Sequence, residues 1–579
     1  MAWPWLLPLG LFFAASVAQA AVVEHTFNVG NLSISQLCEQ AMIITAVNGR
    51  LPGPTIKVRE GDTVVVHLVN ESPYNMTIHW HGVFQRGSPW ADGPSMVTQC
   101  PVKPGCNYTY RFNVTGQEGT LWWHAHISFL RATVYGALVI RPRGGAASYP
   151  SSPKPHREEV LLLGEWWNAN VYDLERTAFL SGNVTGPANA YTINGKPGDP
   201  YSNCSAADQT YKFHVRRNET YLLRIINAAL NTPMFLRVAN HSFTVVAADA
   251  AYTTPYETDV VVVAPGQTVD ALMAAAGAAP GRYYMVATPY DSAVGGTPPF
   301  NPATARAVVE YAGAAGDETP QLPPPTQNND TATAFRFLSN LTALVLPGKP
   351  TVPLSVDTRM FVTVGLGNGD CQPKQTLCNT TDGTRPRIFS SSMNNASFLL
   401  PDAGSPSMLQ AHYDGNASGV YTRDFPDRPP VIFDYTADAS DTDELKYTTK
   451  STKVRTLRYN ETVEMVLQNT RLIAKESHPM HLHGFNFFVL AQGFGNYDEA
   501  AAAPGFKFNL VNPQERNTVA VPTGGWAVIR FVANNPGMWF MHCHFDAHLD
   551  LGLGMVFEVQ DGPTAETSVP PPPLDLPHC

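Results

Sequence analysis

Four pairs of histidines, each spaced His-x-His, are the side chains in this sequence best suited to chemistry. Imidazole is the commonest metal ligand in proteins, and residues two apart on a β-strand point to the same face of the sheet. One such pair would mean little, but ten of the 17 histidines lie in four short segments. We therefore expect one compact metal cluster. The pairs are His79 and His81, His124 and His126, His481 and His483, and His542 and His544.

Cys543 lies between the two histidines of the last pair, and His548 follows shortly after. A thiolate and two imidazoles in a trigonal set, with a weak or absent axial ligand, form a blue-copper electron-transfer site. The remaining imidazole is expected from His478, on another strand of the same domain. Zinc is the alternative metal, but a structural zinc site holds four closed ligands and would leave the other histidine pairs unexplained. The sequence therefore predicts copper.

The histidine pairs lie in segments that repeat within the chain. Residues 119–126 read GTLWWHAH and residues 537–544 read GMWFMHCH, while residues 79–82 read HWHG and residues 481–484 read HLHG. Each half of the chain thus supplies two pairs. The cluster is compact only if the first two segments face the last two across an interface, so we predict an internal duplication with the metal site between its copies.

A second repeat occurs three times, in residues 56–70, 213–227 and 455–469. The copies share an Arg, a Thr and a final Asn at matching positions. Self-similarity of this kind predicts three related domains. In each copy a polar turn separates two runs of β-branched and aliphatic residues, a pattern that predicts a β-hairpin and not a helix.

Length and composition agree with several β-rich domains. The 579 residues of the chain suggest about three to four domains of roughly 150 residues each. Charged residues make up 15% of the chain, and 49 Pro and 44 Gly interrupt it at short intervals, which predicts an all-β fold. The net charge of −10 comes without a basic stripe, so nucleic acid is not an expected partner. The predicted segments are a signal peptide at 1–20, domains at 21–145, 157–315 and 341–579, and a proline-rich linker at 316–340.

The N-terminus resembles a signal peptide, with an apolar run from Leu6 to Val17 and an Ala-Gln-Ala end at Ala20. A membrane anchor is the alternative, but the run is short and no later stretch reaches about 20 apolar residues. We expect a secreted, soluble glycoprotein with no membrane partner. Asn-x-Ser/Thr acceptor sites include Asn70, Asn107, Asn218, Asn329, Asn340, Asn379 and Asn460.

The cysteines indicate disulfides in an oxidising compartment. With Cys543 assigned to the metal, seven of the eight cysteines remain, an odd number. Cys106 is then expected to be unpaired, and a bond between Cys100 and Cys106 is the alternative. The expected disulfides are Cys371–Cys378, Cys38–Cys204 and Cys100–Cys579.

Taken together, the histidine segments resemble those of the multicopper oxidases, and more narrowly those of the plant laccases. The resemblance covers nearly the whole mature chain, for example GTLWWHAHISFLRATVYG at 119–136, WADGP at 90–94, FNLVNP at 508–513 and RNTVAVPTGGW at 516–526. It implies three cupredoxin-like Greek-key β-sandwiches, with a mononuclear type 1 copper in the third and a trinuclear cluster between the first and third. The middle domain has no His-x-His pair, and we expect it to space the outer two and to line the substrate pocket.

The metal motifs of the family carry over to this sequence without a gap, and they imply four copper ions. The resemblance assigns the type 1 ion to His478, Cys543 and His548. It assigns the type 2 ion to His79 and His481. It assigns the pair of type 3 ions to His81, His124, His126, His483, His542 and His544.

The resemblance also implies an activity, the oxidation of small phenols one electron at a time with reduction of O₂ to water. His548 is then the edge of the type 1 site at which electrons enter, and Cys543 connects it to the flanking type 3 ligands. Protons must also reach the trinuclear cluster. Asp92 and Asp546 are hypothesised to relay them.

Leu553 stands ten residues after Cys543, at the axial position where ascorbate oxidases carry methionine. A thioether donor stabilises the oxidised ion, so its absence predicts a raised potential suited to phenols. Met555 is the competing axial candidate, and we expect it to be a packing residue.

Other members of the family give the alternative functions. Leu553 disfavours an ascorbate oxidase, and a ferroxidase would need carboxylates near His478 or His548. A copper-free cell-wall relative would have lost ligands, whereas this chain keeps them all. The physiological substrate stays open between monolignols, flavonoids and other phenols, and we expect a monomer that acts in lignin polymerisation or phenolic turnover in the apoplast.

Overall fold

The computed structural model describes residues 20–199, 209–276, 281–293, 300–316, 318–348, 351–372, 375, 387–437, 443–498 and 508–579. The described residues form three β-sandwiches in succession along the chain, which confirms the predicted fold class. Most of the predicted signal peptide, residues 1–19, lies outside this part of the chain. None of the described helices is long and apolar enough to span a membrane.

The first sandwich contains both early histidine pairs. Its strands are β1 (Val22–Ile34), β2 (Met42–Val47), β3 (Ile56–Arg59), β4 (Thr63–Asn70), β5 (Ile78–His81), β6 (Asn107–Asn113), β7 (Gly119–Ala125) and β8 (Tyr135–Arg141). One sheet has the order β2-β1-β4-β6 and the other the order β3-β8-β7-β5. Side chains from both sheets share one core, in which Phe27, Trp80 and Trp123 are fully buried.

The second sandwich follows the same plan with more strands. They are β9 (Arg157–Trp166), β10 (Ala190–Ile193), β11 (Tyr211–Val215), β12 (Thr220–Asn227), β13 (Met234–Val238), β14 (Phe243–Ala248), β15 (Ala251–Thr258), β16 (Val261–Val263), β17 (Thr268–Ala274), β18 (Arg282–Pro289) and β19 (Ala305–Tyr311). The two sheets have the orders β10-β9-β12-β17-β14-β15 and β11-β19-β18-β13-β16.

The third sandwich contains the two late histidine pairs. Its strands are β20 (Thr358–Gly369), β21 (Ile388–Met393), β22 (Ala396–Phe398), β23 (Thr449–Ser451), β24 (Val454–Leu457), β25 (Glu461–Asn469), β26 (His478–Leu482), β27 (Phe487–Phe494), β28 (Gln514–Arg516), β29 (Thr518–Val521), β30 (Gly525–Ala533), β31 (Gly537–Cys543) and β32 (Gly554–Val559). The sheets have the orders β23-β22-β21-β20-β25-β30-β27-β28 and β24-β32-β31-β26-β29.

Short helices connect the strands. They are α1 (Val171–Ser181), α2 (Thr331–Asn340), α3 (Met408–Tyr413), α4 (Asp443–Lys446) and α5 (Asp546–Leu551). Helix α2 lies within the segment predicted to be a linker, and it buries Ala334 and Phe337 in the core of the second sandwich. The sequence analysis missed this helix, because the proline-rich stretch that precedes it dominates the composition of the segment. Helix α5 carries His548 and ends at Gly552, whose φ of +104° is typical of a helix C-terminus.

The hairpin prediction for the threefold repeat is wrong. In every copy the two strands lie in different sheets: β3 and β4, β11 and β12, and β24 and β25. Each repeat is therefore a corner at which the chain passes from one sheet of a sandwich to the other. Strand runs separated by a polar turn look the same in sequence whether they pair with each other or cross between sheets, because both arrangements bury one face of each strand.

The corners occupy equivalent places in the three sandwiches. The first strand of each sandwich pairs in parallel with the strand after the corner, as β1 with β4, β9 with β12 and β20 with β25. The strand before the corner pairs in parallel with the last strand, as β3 with β8, β11 with β19 and β24 with β32. This shared topology agrees with the prediction of three related domains.

The C-terminal tail returns to the first sandwich. Cys579 is bonded to Cys100, which confirms that predicted disulfide and excludes the alternative bond from Cys100 to Cys106. Cys106 is free, as predicted, and its thiol is exposed. Cys38 and Cys371 are also disulfide-bonded; their predicted partners, Cys204 and Cys378, lie outside the described residues.

Candidate metal centres

Two pairs of adjacent strands carry the four histidine pairs. In the first sandwich β5 pairs with β7, and His79 stands opposite His124. In the third sandwich β26 pairs with β31, and His481 stands opposite His542. In each histidine pair at least one member lies on a strand, and both imidazoles leave the same face of the sheet. The two pairs of strands face each other at the interface of the first and third sandwiches.

The eight paired histidines meet in one buried cluster. His79 stacks on His483 with ring centroids 3.9 Å apart, and His81 stacks on His481 at 3.8 Å. Ring nitrogens from different segments approach closely, with 3.1 Å from His483 Nε2 to His542 Nε2. The corresponding distances are 3.4 Å from His126 Nε2 to His542 Nε2 and 3.1 Å from His544 Nε2 to His81 Nδ1. The stacked pairs join the first sandwich to the third, as the duplication predicts.

Backbone carbonyls fix which nitrogen of His79, His481 and His542 faces the cluster. His79 Nδ1 lies 2.7 Å from Asp92 O, His481 Nδ1 lies 2.8 Å from Asn517 O, and His542 Nδ1 lies 2.9 Å from Cys543 O. Donation of Nδ1–H to a carbonyl leaves Nε2 with a lone pair that points inward. The strand backbone around the cluster thus orients its own ligands.

Burial is the main reason why the pKa values of seven cluster histidines are low, and the charges of neighbouring groups add to it. The pKa of His542 is lowered to about 3. These imidazoles are therefore neutral, the form that binds a metal ion. The pKa is lowered well below its usual range in His81, His124, His126, His481, His483 and His544.

The cluster fits a group of bound cations. Three inward nitrogens, His79 Nε2, His124 Nε2 and His481 Nε2, have no hydrogen-bond partner within the described part of the chain. A buried polar atom without a partner costs about 1–3 kcal/mol, and facing lone pairs repel each other. Metal ions between the rings would satisfy these atoms. The possible donor triplets, each with ligand atoms within 4.8 Å of one another, are His79/His481/His483, His79/His81/His124 and His126/His483/His542.

A second donor set lies in the third sandwich. Cys543 Sγ is 3.5 Å from His548 Nδ1 and 3.8 Å from His478 Nδ1, and the two nitrogens are 3.2 Å apart. Donors about 2.0–2.3 Å from a shared ion have separations of this size. All three residues are buried. One thiolate and two imidazoles at these distances form the trigonal set that binds copper in electron-transfer sites.

Leu553 and Met555 are both fully buried in the core around Cys543. The Leu553 carbonyl accepts the Cys543 N–H at 2.9 Å, and its own N–H donates to His548 O at 2.9 Å. Leu553 is thus bonded through its backbone to two of the three predicted type 1 ligands. Its role as the non-donating axial residue stays a prediction.

The structure brings both predicted relay carboxylates to the cluster. Asp92 is fully buried, and its Oδ2 lies 2.9 Å from His483 Nδ1. Asp546 follows His544 and lies 3.2 Å from the Arg131 guanidinium. Burial raises the pKa of Asp546 to about 6 despite the opposing effect of Arg131. Neither residue is the surface aspartate that a turn segment would suggest.

A cavity of about 720 Å³ reaches the cluster from the outside of the molecule. Its walls include three predicted type 3 ligands, His124, His126 and His542, and the carboxylate residue Asp546. A space of this size admits water and O₂ to the histidines.

Three groups that hold the ligands were missed in the sequence analysis. Glu476 Oε1 lies 3.0 Å from His548 Nε2, which directs His548 Nδ1 toward Cys543. The combined effect of Glu476 and Cys543 exceeds that of burial and raises the pKa of His548 to about 10. Arg131 contacts His544, and a buried ion pair of Arg516 and Asp249 holds the backbone beside His481. A carboxylate two residues before a histidine, and an arginine in an apolar run, were the only available signals.

Comparison with known proteins decides the family. Three family models described as multicopper oxidase match residues 28–145, 157–314 and 424–563. Laccase-25 of Oryza sativa subsp. japonica is 70% identical, with 100% of this chain and 99% of the relative covered. Laccase-7 of Arabidopsis thaliana is 56% identical over 100% and 99% of the two chains. The chain belongs to the plant laccases of the multicopper oxidase family. This laccase is therefore a copper-dependent oxidoreductase whose reaction partners are phenols and O₂.

Solved structures of relatives have the same fold as this laccase. The laccase of Botrytis aclada is 26% identical, with a TM-score of 0.71 over 96% of this chain and 90% of that one. Fet3p, described as a multicopper oxidase that functions in iron import, is 23% identical, with a TM-score of 0.70 over 93% and 90%. The likeness to Fet3p shows the fold alone.

Proposed function

We propose that this laccase holds four copper ions and oxidises phenols at the site of Cys543. The donor set of His478, Cys543 and His548 beside the eight-histidine cluster carries the proposal. Bound at these two centres, copper supplies one-electron oxidation of the phenol and four-electron reduction of O₂ to water. His79 and His481 are proposed for the type 2 ion, and the other six paired histidines for the type 3 pair.

The protein supplies a short covalent path between the two centres. Cys543 is joined by peptide bonds to His542 and His544, which belong to the cluster. His548, with Glu476 against its outer nitrogen, is the proposed edge for the phenol. Glu476 orients the ring.

Asp92 and Asp546 are proposed to move protons to the cluster. Asp92 Oδ1 has no hydrogen-bond partner in the described residues and lies 3.4 Å from His79 Nδ1. Asp546 lines the cavity that reaches His126 and His542. With Asp92→Asn, we expect slower O₂ reduction and a changed pH profile while the red absorption of the Cys543 site persists. An unchanged rate and pH profile would remove Asp92 from the relay.

The first experiment is a copper count with visible and paramagnetic-resonance spectra, followed by oxygen uptake with a methoxyphenol. Four copper ions per chain, a thiolate-to-copper band in the red and uptake without release of peroxide are expected. A colourless, copper-poor protein without oxygen uptake would instead favour the structural cell-wall alternative.

Oxidation of Fe²⁺ is the second candidate, because Glu476 is a carboxylate at the edge of the predicted type 1 site. Asp291 is a second carboxylate in the same neighbourhood. Its pKa is raised by burial and by the charge of Glu476. Oxygen uptake with Fe²⁺ as the reductant, compared with a methoxyphenol, separates the two. We expect the phenol to be the better substrate by kcat/KM.

We further propose secretion to the apoplast, action on monolignols or related phenols in lignin polymerisation or phenolic turnover, and a monomeric state. The predicted signal peptide and the exposed acceptor sites at Asn107, Asn218, Asn329, Asn340 and Asn460 support secretion. Asn70 is fully buried and donates to Tyr74 O and Val102 O, so it is unsuited to glycosylation; Asn379 lies outside the described residues. A mature N-terminus at Ala21 and a mass decrease on deglycosylation are the expected results.

A further inference from the structure

The Arg131 side chain is buried where all three sandwiches meet. It belongs to a short 3-10 helix, Ser128–Ala132, that directly follows His124 and His126. Its Nη2 donates to His544 O in the third sandwich at 2.9 Å and to Leu230 O in the second at 3.0 Å. Its Nη1 lies against the His544 ring, and its charge is paired with Asp546. One guanidinium thus connects three domains at a cluster histidine.

A loop of the second sandwich is held in the conformation that accepts these hydrogen bonds. Buried Glu165 accepts the N–H groups of Leu230 at 2.8 Å and Asn231 at 3.0 Å, which fixes the loop at residues 229–232. The same loop accepts the Asp546 N–H at Leu230 O (3.1 Å) and the Ala547 N–H at Asn231 Oδ1 (3.1 Å). The backbone that follows His544 is therefore bonded to the middle sandwich as well as to Arg131.

Gly266 is a second and independent contact of the middle sandwich with the cluster. A Cβ at this position would lie 2.8 Å from His544 Cγ and Cδ2 and 3.1 Å from His81 Cε1, and the φ of Gly266 is +90°. Only glycine allows the backbone to approach these two imidazoles so closely.

We propose that the middle sandwich, although it supplies no predicted ligand, positions His544 in the trinuclear centre, and that Arg131 is the positioning residue that connects the three domains for this purpose. The inference rests on the proposed trinuclear centre. Groups that orient a metal ligand from behind typically change metal affinity by about 10–100-fold when they are replaced. Lysine cannot take over, because one ammonium group does not reproduce the planar fork that reaches His544, Leu230 and Asp546 together.

The test is Arg131→Lys in the full-length, copper-loaded enzyme. We expect the near-ultraviolet absorption of the coupled copper pair to weaken and the copper affinity of the cluster, measured by competition with a chelator, to fall about 10–100-fold. The red band of the Cys543 site should persist, because within the described residues Arg131 forms no hydrogen bond with His478, Cys543 or His548. A full near-ultraviolet band with wild-type copper retention would overturn the inference.

Arg224→Lys is the matched control. Arg224 is also a buried arginine between two sandwiches, but it donates to Thr120 at 2.8 Å and Asp270 at 2.9 Å and not to a histidine. We expect this variant to lower thermal stability while the ratio of the near-ultraviolet band to the red band stays as in the wild type. Equal loss of the near-ultraviolet band in both variants would mean that Arg131 has only a general structural role, and would also overturn the inference.

Hydrogen exchange of the wild-type enzyme gives a test that needs no variant to fold. Removal of copper should speed exchange at the Asp546 and Ala547 amides, which donate to the loop at residues 229–232, and at Leu230 and Asn231. Unchanged exchange at these four amides would contradict the inference. A wild-type protein that binds copper without any near-ultraviolet band would instead refute the proposed trinuclear centre itself.

Discussion

At the scale of single residues, the surroundings of Cys543 determine how strongly the type 1 copper would attract an electron. Leu553 is bonded through its backbone to Cys543 and His548, and its fully buried side chain belongs to the same apolar cluster as Cys543. An aliphatic side chain offers the ion no donor. At an axial position beside the ion, Leu553 would therefore leave the oxidised ion, which gains most from an additional ligand, less stable.

Replacement of Leu553 by methionine should lower the type 1 potential, because a thioether can donate to the oxidised ion. Leucine and methionine have similar volumes, so we expect a stability cost below about 1.5 kcal/mol. A redox titration followed at the red band measures the effect. Met555→Leu is the control, since Met555 is buried in the same core two residues further on. A potential that falls in neither variant, or that changes in the control alone, would contradict the assignment of Leu553.

The residues with a regular spacing could be found from the sequence, whereas those that orient them could not. The His-x-His pairs reflect the two-residue period of a strand and are visible within three positions. Asp92 and His483 are 391 residues apart, and Arg131 and His544 are 413 apart. Such contacts depend on how whole sandwiches dock, which no local pattern encodes. Glu476 lies close to His478 in sequence, but its contact is with His548.

At the scale of elements, the repeated corner is the unit from which all three sandwiches are built. Asn70, Asn227 and Asn469 end the strand after each corner, and the Nδ2 of each donates to two backbone carbonyls. The sequence indicated that these asparagines match, but not that each one connects a strand end to two other segments of the chain. Strand content was predictable from the alternation of apolar residues, and strand pairing was not, because the partners are distant in sequence.

Glu558 on β32 holds helix α3 and a neighbouring loop against the third sandwich. It accepts hydrogen bonds from His412, Tyr421, Arg423 and Thr456. Burial alone would raise the pKa of Glu558, but these bonds together hold it well below its usual range. Since the pKa in the unfolded chain is about 4.3, the stabilisation is present above that pH and is lost as the pH falls below it.

Glu558→Gln should therefore destabilise the protein by about 1–3 kcal/mol at neutral pH, the scale of hydrogen bonds to a charged group, since Arg423 is half exposed and solvent screens its charge. Denaturant unfolding at a series of pH values measures this. The difference from the wild type should shrink as the pH falls below about 4.3. Exposed Glu71→Gln is the control and should change little at any pH. A difference that is independent of pH would mean that the Glu558 charge is not the stabilising feature.

At the scale of the whole molecule, buried polar contacts and the Cys100–Cys579 disulfide hold the sandwiches in register. Arg224 and Asp270 of the second sandwich bond to Thr120 of the first. Arg516 of the third sandwich pairs with Asp249 of the second at 2.7 Å. A buried ion pair tolerates little displacement of one sandwich relative to another, because separating its charges would leave an unpaired buried charge, which is costly. The histidine cluster depends on this register, since its ligands come from the first and third sandwiches.

The C-terminal tail closes the arrangement by joining the third sandwich to the first. Pro570 O accepts the Trp90 indole N–H at 2.8 Å, Asp575 accepts the Thr109 N–H at 3.2 Å, and the tail ends at the Cys100–Cys579 disulfide. This bond spans 479 residues of sequence. A cross-link over so long a loop restricts the unfolded chain strongly, and here it also restrains the interface that holds the histidines.

The paired variant Cys100→Ser with Cys579→Ser should thus lower the free energy of unfolding by about 2–5 kcal/mol. It should also speed the loss of copper from the cluster to a chelator, because the first and third sandwiches separate more readily. Thermal unfolding and chelator kinetics on the copper-loaded enzyme measure the two effects. Cys106→Ser is the control, since this thiol is exposed and free, and it should change neither. If the paired variant lost stability while its cluster kept copper as long as the wild type, the tail would stabilise the fold without restraining the metal interface.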